Sequence, residues 1–157
     1  MLVTKAIEEI QCKINDRDKV GLDDTEILSY LNEAIQFISS YLVGANSPIM
    51  VKETVIYDDA YTLPKNFVRT IGTYPAKITG NTLELFDYPP MKFRYFASLQ
   101  NVGMDDEMPF THEALEQVAI KLACIYANAQ EQFDVTQDKS LLDEMTAAIA
   151  SAIGAAK

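Results

Sequence analysis

The sequence predicts an α+β fold: a four-helix arrangement, two helices at each end of the chain, with an inserted block of short antiparallel strands. Three observations lead there. Apolar residues step by three and four both before residue 43 and after residue 111, the period of an amphipathic helix. Between residues 50 and 97 the period falls to two and turn residues punctuate the chain, as short strands require. The 157 residues, 48% hydrophobic and 23% charged, suit a single domain, 1–157, with a core of its own. Its parts are N-terminal helices over 2–43, a β insertion over 50–97 and C-terminal helices over 111–153.

Val3, Ile7, Ile10 and Ile14 place a first helix over residues 2–16, and the polar run 15–21 ends it in a hairpin or sharp corner. Ile27, Leu31, Ile35, Ile38 and Leu42 form the buried stripe of a second helix. Asp23 and Glu26 have the spacing of a capping box, and Gly44 is expected to stop this helix in the left-handed conformation. Asn32 sits at the edge of the stripe. It reads either as a surface amide or as a buried one bonded to a loop or sheet packed on the helix.

After the loop at 45–48, Val51, Glu53, Val55 and Tyr57 alternate with Lys52, Thr54 and Ile56, which predicts a strand with one largely apolar face. Asp58-Asp59-Ala60 is turn material, Tyr61 to Leu63 a return strand stopped by Pro64, and residues 67–72 a further short strand. Residues 76–86 read as a hairpin with Gly80-Asn81 at its tip, because turns of the primed types need positive φ. Met91, Phe93 and Tyr95 then alternate with Lys92, Arg94 and Phe96 in a last strand.

A loop with the acidic run Asp105-Asp106-Glu107 leads to Thr111, the expected cap of a third helix over 112–133. Its stripe is Leu115, Val118, Leu122, Ile125, Ala129 and Phe133; Ala114, Ala119, Ala123 and Ala127 make its other faces small. The second and third helices, with matching stripes, are expected to touch. Leu142, Met145, Ile149 and Ala152 mark a fourth helix ending at Gly154.

The formal net charge is −10 and the pI near 4.4. Free duplex DNA and anionic membranes repel such a surface, which serves solubility or lets the protein stand near nucleic acid without sticking. No apolar run approaches the ~20 residues of a membrane span. Two early glutamates and no cleavage-like site argue against a signal peptide, so a cytoplasmic location is expected. Cys12 and Cys124 fall in helical patterns without metal-ligand spacing and read as buried, reduced small hydrophobes.

Catalytic candidates are few. His112 is the only histidine and has no nucleophile beside it in sequence. The pairs Asp23/Asp24, Asp58/Asp59 and Asp105/Asp106 stand at a cap and in turns, where aspartates serve the backbone. No nucleophile elbow, phosphate loop, zinc signature or spaced calcium loop occurs in the sequence. Lys92-Phe-Arg-Tyr-Phe96 interleaves bases with aromatics. It reads as a half-buried strand, with a protein-contact strand and a single-stranded nucleic-acid platform as alternatives.

Several phrases converge in order: Tyr30-Leu-Asn-Glu-Ala34, Leu63-Pro-Lys-Asn-Phe67, Arg94-Tyr-Phe96, Met108-Pro-Phe110, and Tyr126-Ala-Asn-Ala-Gln-Glu-Gln-Phe-Asp-Val-Thr-Gln-Asp138. Across roughly residues 24–138 the chain resembles the small head–tail connector (adaptor, tail accessory) proteins of tailed bacteriophages and prophages. The resemblance implies a non-enzymatic virion protein with no cofactor or metal. It implies binding beneath the portal protein after DNA packaging, in a ring that is commonly dodecameric. The ring extends the DNA channel and offers a platform to the next tail component. The implied location is the host cytoplasm during assembly and then the virion head–tail junction. Asn32, Arg94, Phe96 and Phe110, which stand in these phrases, are the candidate partner-contact residues. The alanine-rich helix faces would suit packing around a ring, and acidic walls would let DNA pass without being tightly bound.

Some connectors carry a long C-terminal tail that reaches into the neighbouring ring. Here only Gly154-Ala-Ala-Lys157 follows the expected fourth helix, so docking by a tail is not expected unless that helix swings out. Two readings from other classes compete: a tail-associated cell-wall hydrolase using a carboxylate acid, and a binding module with no virion role.

Overall fold

A computed structural model describes residues 1–14, 21–129, 143, 146–147 and 149–151. The element order is α1 (Val3–Lys13), α2 (Asp24–Gly44), a 3-10 turn (Pro48–Met50), β1 (Val51–Ile56), β2 (Ala60–Thr62), β3 (Phe67–Thr70), β4 (Ala76–Thr79), β5 (Thr82–Leu85), β6 (Met91–Ala97) and α3 (Glu113–Ala129). Of the expected fourth helix, Ile149 is helical and buried. Leu142, Met145, Ala152 and Gly154 lie outside the described residues, as do Phe133 and the phrase from 130 to 138.

The expected architecture is corrected. The fold is α+β with two small antiparallel sheets, and the helices are not arranged as four elements paired around one block of strands. A helix block comes first, the strands are inserted after it, and helix follows on the C-terminal side. One sheet has the order β1-β6-β3 and the other β2-β5-β4. Helix α1 packs along α3. Contacts divide the chain into two compact units, residues 1–38 with 100–157 and residues 39–99, and the division falls inside α2. Simple alternation could not reveal this, because strand period is the same whichever sheet a strand joins.

In the first unit, α1 buries Val3, Ala6, Ile7 and Ile10. Residues 1–3 lie antiparallel to 106–108: Val3 N–H donates to the Asp106 carbonyl at 3.0 Å and Met108 N–H to that of Met1 at 2.8 Å. The capping box forms as expected. Glu26 N–H donates to Asp23 Oδ1 at 2.8 Å, and Asp23 N–H to Glu26 Oε2 at 3.0 Å. The stripe residues Ile27, Leu31, Ile35 and Ile38 are fully buried. On α3, Leu115, Val118 and Leu122 are buried as expected, and so are Ala119, Ala123 and Ala127. Of the four alanines on the small face, three are thus covered within the chain and Ala114 is half-buried. The helix begins one residue after His112, whose carbonyl accepts from Leu115 N–H at 3.1 Å, so His112 rather than Thr111 holds the capping position.

Two further expectations are corrected here. Cys12 is exposed and Cys124 only partly buried; Cys12 lies off the stripe, while its neighbour Gln11 is buried and donates from Nε2 to Asp24 Oδ1 at 2.8 Å. Gly44 ends α2 without a positive φ, and the left-handed residue is Asn46 at φ 56°. Asparagine tolerates that region better than other side-chain-bearing residues.

In the second unit, β6 is the centre of its sheet, paired with β1 from Val51↔Phe96 to Ile56↔Met91 and with β3 on its other edge. The β4–β5 hairpin turns at Gly80-Asn81 as expected. Gly80 has φ +60° while Asn81 has no positive φ, which identifies the II′ form. Ile56, Leu63, Leu83, Phe93, Tyr95 and Ala97 form the core with members of both sheets. Phe93 is its hub, edge-on to Tyr74 at 5.2 Å between centroids and stacked on Tyr95 at 5.4 Å. The inward side of β1 is the one that carries Thr54 and Ile56. Ile56 is buried, whereas Val55 and Tyr57 are exposed, because register with β6 turns the Thr54/Ile56 side inward.

Candidate functional site

The most organised polar features are on α2: Asn32 and Gln36 in the first unit, and Ser39 within residues 39–99, each bond the chain that follows β6. Ser39, Gln36 and Asn32 lie at spacings of three and four, so they share one helix face. Leu99 N–H donates to Ser39 Oγ at 2.9 Å. Gln36 Nε2 donates to Asn101 Oδ1 at 3.0 Å. Asn32 does the most: its Nδ2 donates to the Val102 carbonyl at 3.0 Å, and its Oδ1 accepts from Val102 N–H at 2.8 Å. The amide thus reproduces the two bonds a strand neighbour would make. The structure selects the second of the two readings of Asn32, an amide bonded to a loop packed on the helix. The loop's return is held by Asp106, whose Oδ2 accepts from Gly103 N–H at 2.6 Å.

A second organised feature lies within residues 39–99. Arg69 on β3 donates from Nη2 to the Val43 carbonyl at 3.0 Å and also to Asn46 Oδ1. Its guanidinium lies 4.6 Å from the Phe96 ring centroid, in cation–π range. A cation at the last carbonyls of α2 also complements the helix dipole. Arg69 and Asn46 carry this joint and were not singled out in the sequence. The available signals were an arginine in a strand and, 23 residues earlier, an asparagine in a loop, and neither points to the other without the fold.

The four sequence candidates are not brought together. Asn32 is half-buried and bonded to the Val102 backbone. Arg94 is exposed on β6, 3.7 Å from Glu53 on β1, while its backbone N–H donates to Tyr74 Oη at 2.9 Å. Phe96 is buried beneath Arg69, and Phe110 is half-buried before α3.

Asp23 and Asp106, from the acids at the expected cap and turns, serve structure. Asp23 caps α2, and Asp106 closes its loop. Buried Glu116 lies 2.9 Å from the Met1 ammonium. Burial, reinforced by Glu33, raises the Tyr126 phenol above its ordinary value, so α3 presents this ring near the α2 acid. Burial likewise raises Tyr30, with Glu33 and Glu26 adding to it. Burial raises the Cys124 thiol, opposed in part by Lys13 on α1.

Among the described residues no group of three or more His, Cys, Asp or Glu side chains could hold a metal ion. No helix among them is long and apolar enough to cross a membrane. Compared with protein-family models and with curated proteins, the chain matches none.

Proposed function

We propose that this chain is a non-enzymatic structural protein of the phage head–tail junction. It assembles as a ring under the portal protein and extends the DNA channel toward the next tail component. The observation that carries the reading is the ordered set of connector-like phrases, several of whose described members tie the scaffold together. Asn32 straps the loop at Val102. Leu63 to Phe67 is a turn tied to the end of β6, where Asn66 Nδ2 donates to the Ser98 carbonyl at 3.1 Å. Arg94 to Phe96 form the central strand. Met108 is buried and paired with the first residues.

The net charge of −10 supports the same role, since a wall that DNA slides past should not hold phosphate. The test is to mix the purified protein with the portal protein encoded in the same gene neighbourhood and image the mixture by negative stain. Added ring-shaped density beneath the portal is the expected result. Unchanged portal rings, or a neighbourhood without portal and capsid genes, would overturn the proposal.

A further inference from the structure

The residues 39–99 unit ends in an aromatic tip that the core does not use. Tyr88 is 97% exposed, Tyr57 73% and Phe86 65%. Two turns bring them to one end of the unit. The Ile56↔Met91 pairing sets residues 57–59 beside residues 86–90, and Leu85 N–H donates to the Asp59 carbonyl at 2.8 Å. Phe86 N–H is in turn fixed to the Pro75 carbonyl at 2.7 Å, and Pro89-Pro90 stiffens the chain after Tyr88. The same two turns carry Asp58, Asp59 and Asp87. Lys92, opposite Val55, and Lys77, opposite Glu84 and 3.4 Å from its carboxylate, are the cations near it in the register, so the three aspartates outnumber the bases at the tip. Scattered single apolar residues on a surface need no explanation, but three large aromatics gathered with like-signed charge do.

We propose that this tip is a docking surface for an extended, arginine-rich segment of a partner protein. Charge complementarity selects the occupant. Guanidinium groups stack on exposed aromatic faces and bind carboxylates in a bidentate manner, which an ammonium does not. Nucleic acid is repelled by the acids, and a second acidic tip is repelled by the same charge. The inference does not depend on the portal reading, and the two fail in different experiments.

The probe is a short peptide of alternating arginine and glycine, titrated into the isotope-labelled full chain and followed by amide NMR. Lysine–glycine and glutamate–glycine peptides serve as comparisons. The expected result is shifts confined to residues 57–59 and 86–90, weaker binding of the lysine peptide and none of the glutamate peptide. Combined Tyr57→Ser, Phe86→Ser and Tyr88→Ser should weaken binding about tenfold or more, as should combined Asp58→Asn, Asp59→Asn and Asp87→Asn. These side chains lie outside the core, and an unchanged amide pattern elsewhere verifies folding. The proposal is overturned if the arginine peptide does not bind, if its shifts centre on 105–107, or if the aromatic variant binds equally well. It is also overturned if the tip resonances shift with protein concentration alone, which would make a second copy the occupant.

Discussion

Asn32 and Val102 are joined as two neighbouring strand residues would be, by one donated and one accepted hydrogen bond at 3.0 and 2.8 Å, although one of them is a helix side chain. Removing the amide leaves both backbone groups of Val102, a buried residue, without these partners. Asn32→Ala is therefore expected to destabilise the protein by about 2 kcal/mol. Asn32→Asp retains only the acceptor and should fall between. Urea unfolding of the three proteins checks this; equal midpoints would show that the strap contributes nothing.

Gly80→Val should also destabilise. A Cβ added at Gly80 meets no atom within 4 Å, so crowding at that atom is not the reason. The cost comes from φ +60°, a region L residues avoid, and amounts to about 1–2 kcal/mol. Asn81→Ala, at the turn position without a positive φ, should cost less. Thermal melts of both variants give the comparison, and the turn assignment fails if the order is reversed.

Arg69→Ala removes the contacts to Val43, Asn46 and Phe96 together. Because the side chain is exposed, the expected loss is modest, about 1 kcal/mol. Arg69→Lys keeps the charge but not the planar stack and should recover part of it. Hydrogen exchange at the Asn46 and Ser47 amides should quicken in the alanine variant. Unchanged exchange there would mean that the joint does not depend on Arg69.

Alkaline stability follows from the groups that burial holds neutral. Tyr30, Tyr95, Tyr126 and Cys124 are all raised above their ordinary values of 10.0 for tyrosine and 9.0 for cysteine. Below those values both folded and unfolded chains keep the protons, and these groups make stability independent of pH. Above them the unfolded chain loses protons first, so stability falls as pH rises. Melting temperature should decline above about pH 9, and Tyr126→Phe should flatten part of that decline. At mildly alkaline pH, Cys12, which is exposed, should alkylate before the partly buried Cys124, whose thiol burial pushes up. Equal alkylation rates would contradict the burial assigned to Cys124.

What the sequence made legible was local. The α2 stripe, the Asp23/Glu26 box and the Gly80-Asn81 turn depend on residues within four positions of one another, and the structure has them. Long-range features were not legible. Period two marks Val51 to Tyr57 as a strand, but only the Ile56↔Met91 register decides that Val55 and Tyr57 face outward. Alternation likewise does not say that β6 leaves the β4–β5 hairpin to pair between β1 and β3. The polar row Asn32, Gln36, Ser39 has a helical spacing that can be read in advance. Its partners lie more than 59 residues away, and nothing local names them.

Assembly is where the account is most exposed. The protein carries a charge of −10, so neighbouring copies repel. With a screening length of about 8 Å at ~0.15 M salt, that repulsion persists at contact. A portal template that supplies compensating contacts would remove the barrier, and each added subunit would then gain from its placed neighbour. Sedimentation velocity of the protein at micromolar concentration, with and without the portal protein that the proposed role requires and at two salt concentrations, measures this directly. The account predicts a monomer or weak associate alone, more self-association at high salt, and a ring-sized complex with the portal. A protein that stays monomeric in the presence of that portal would contradict it.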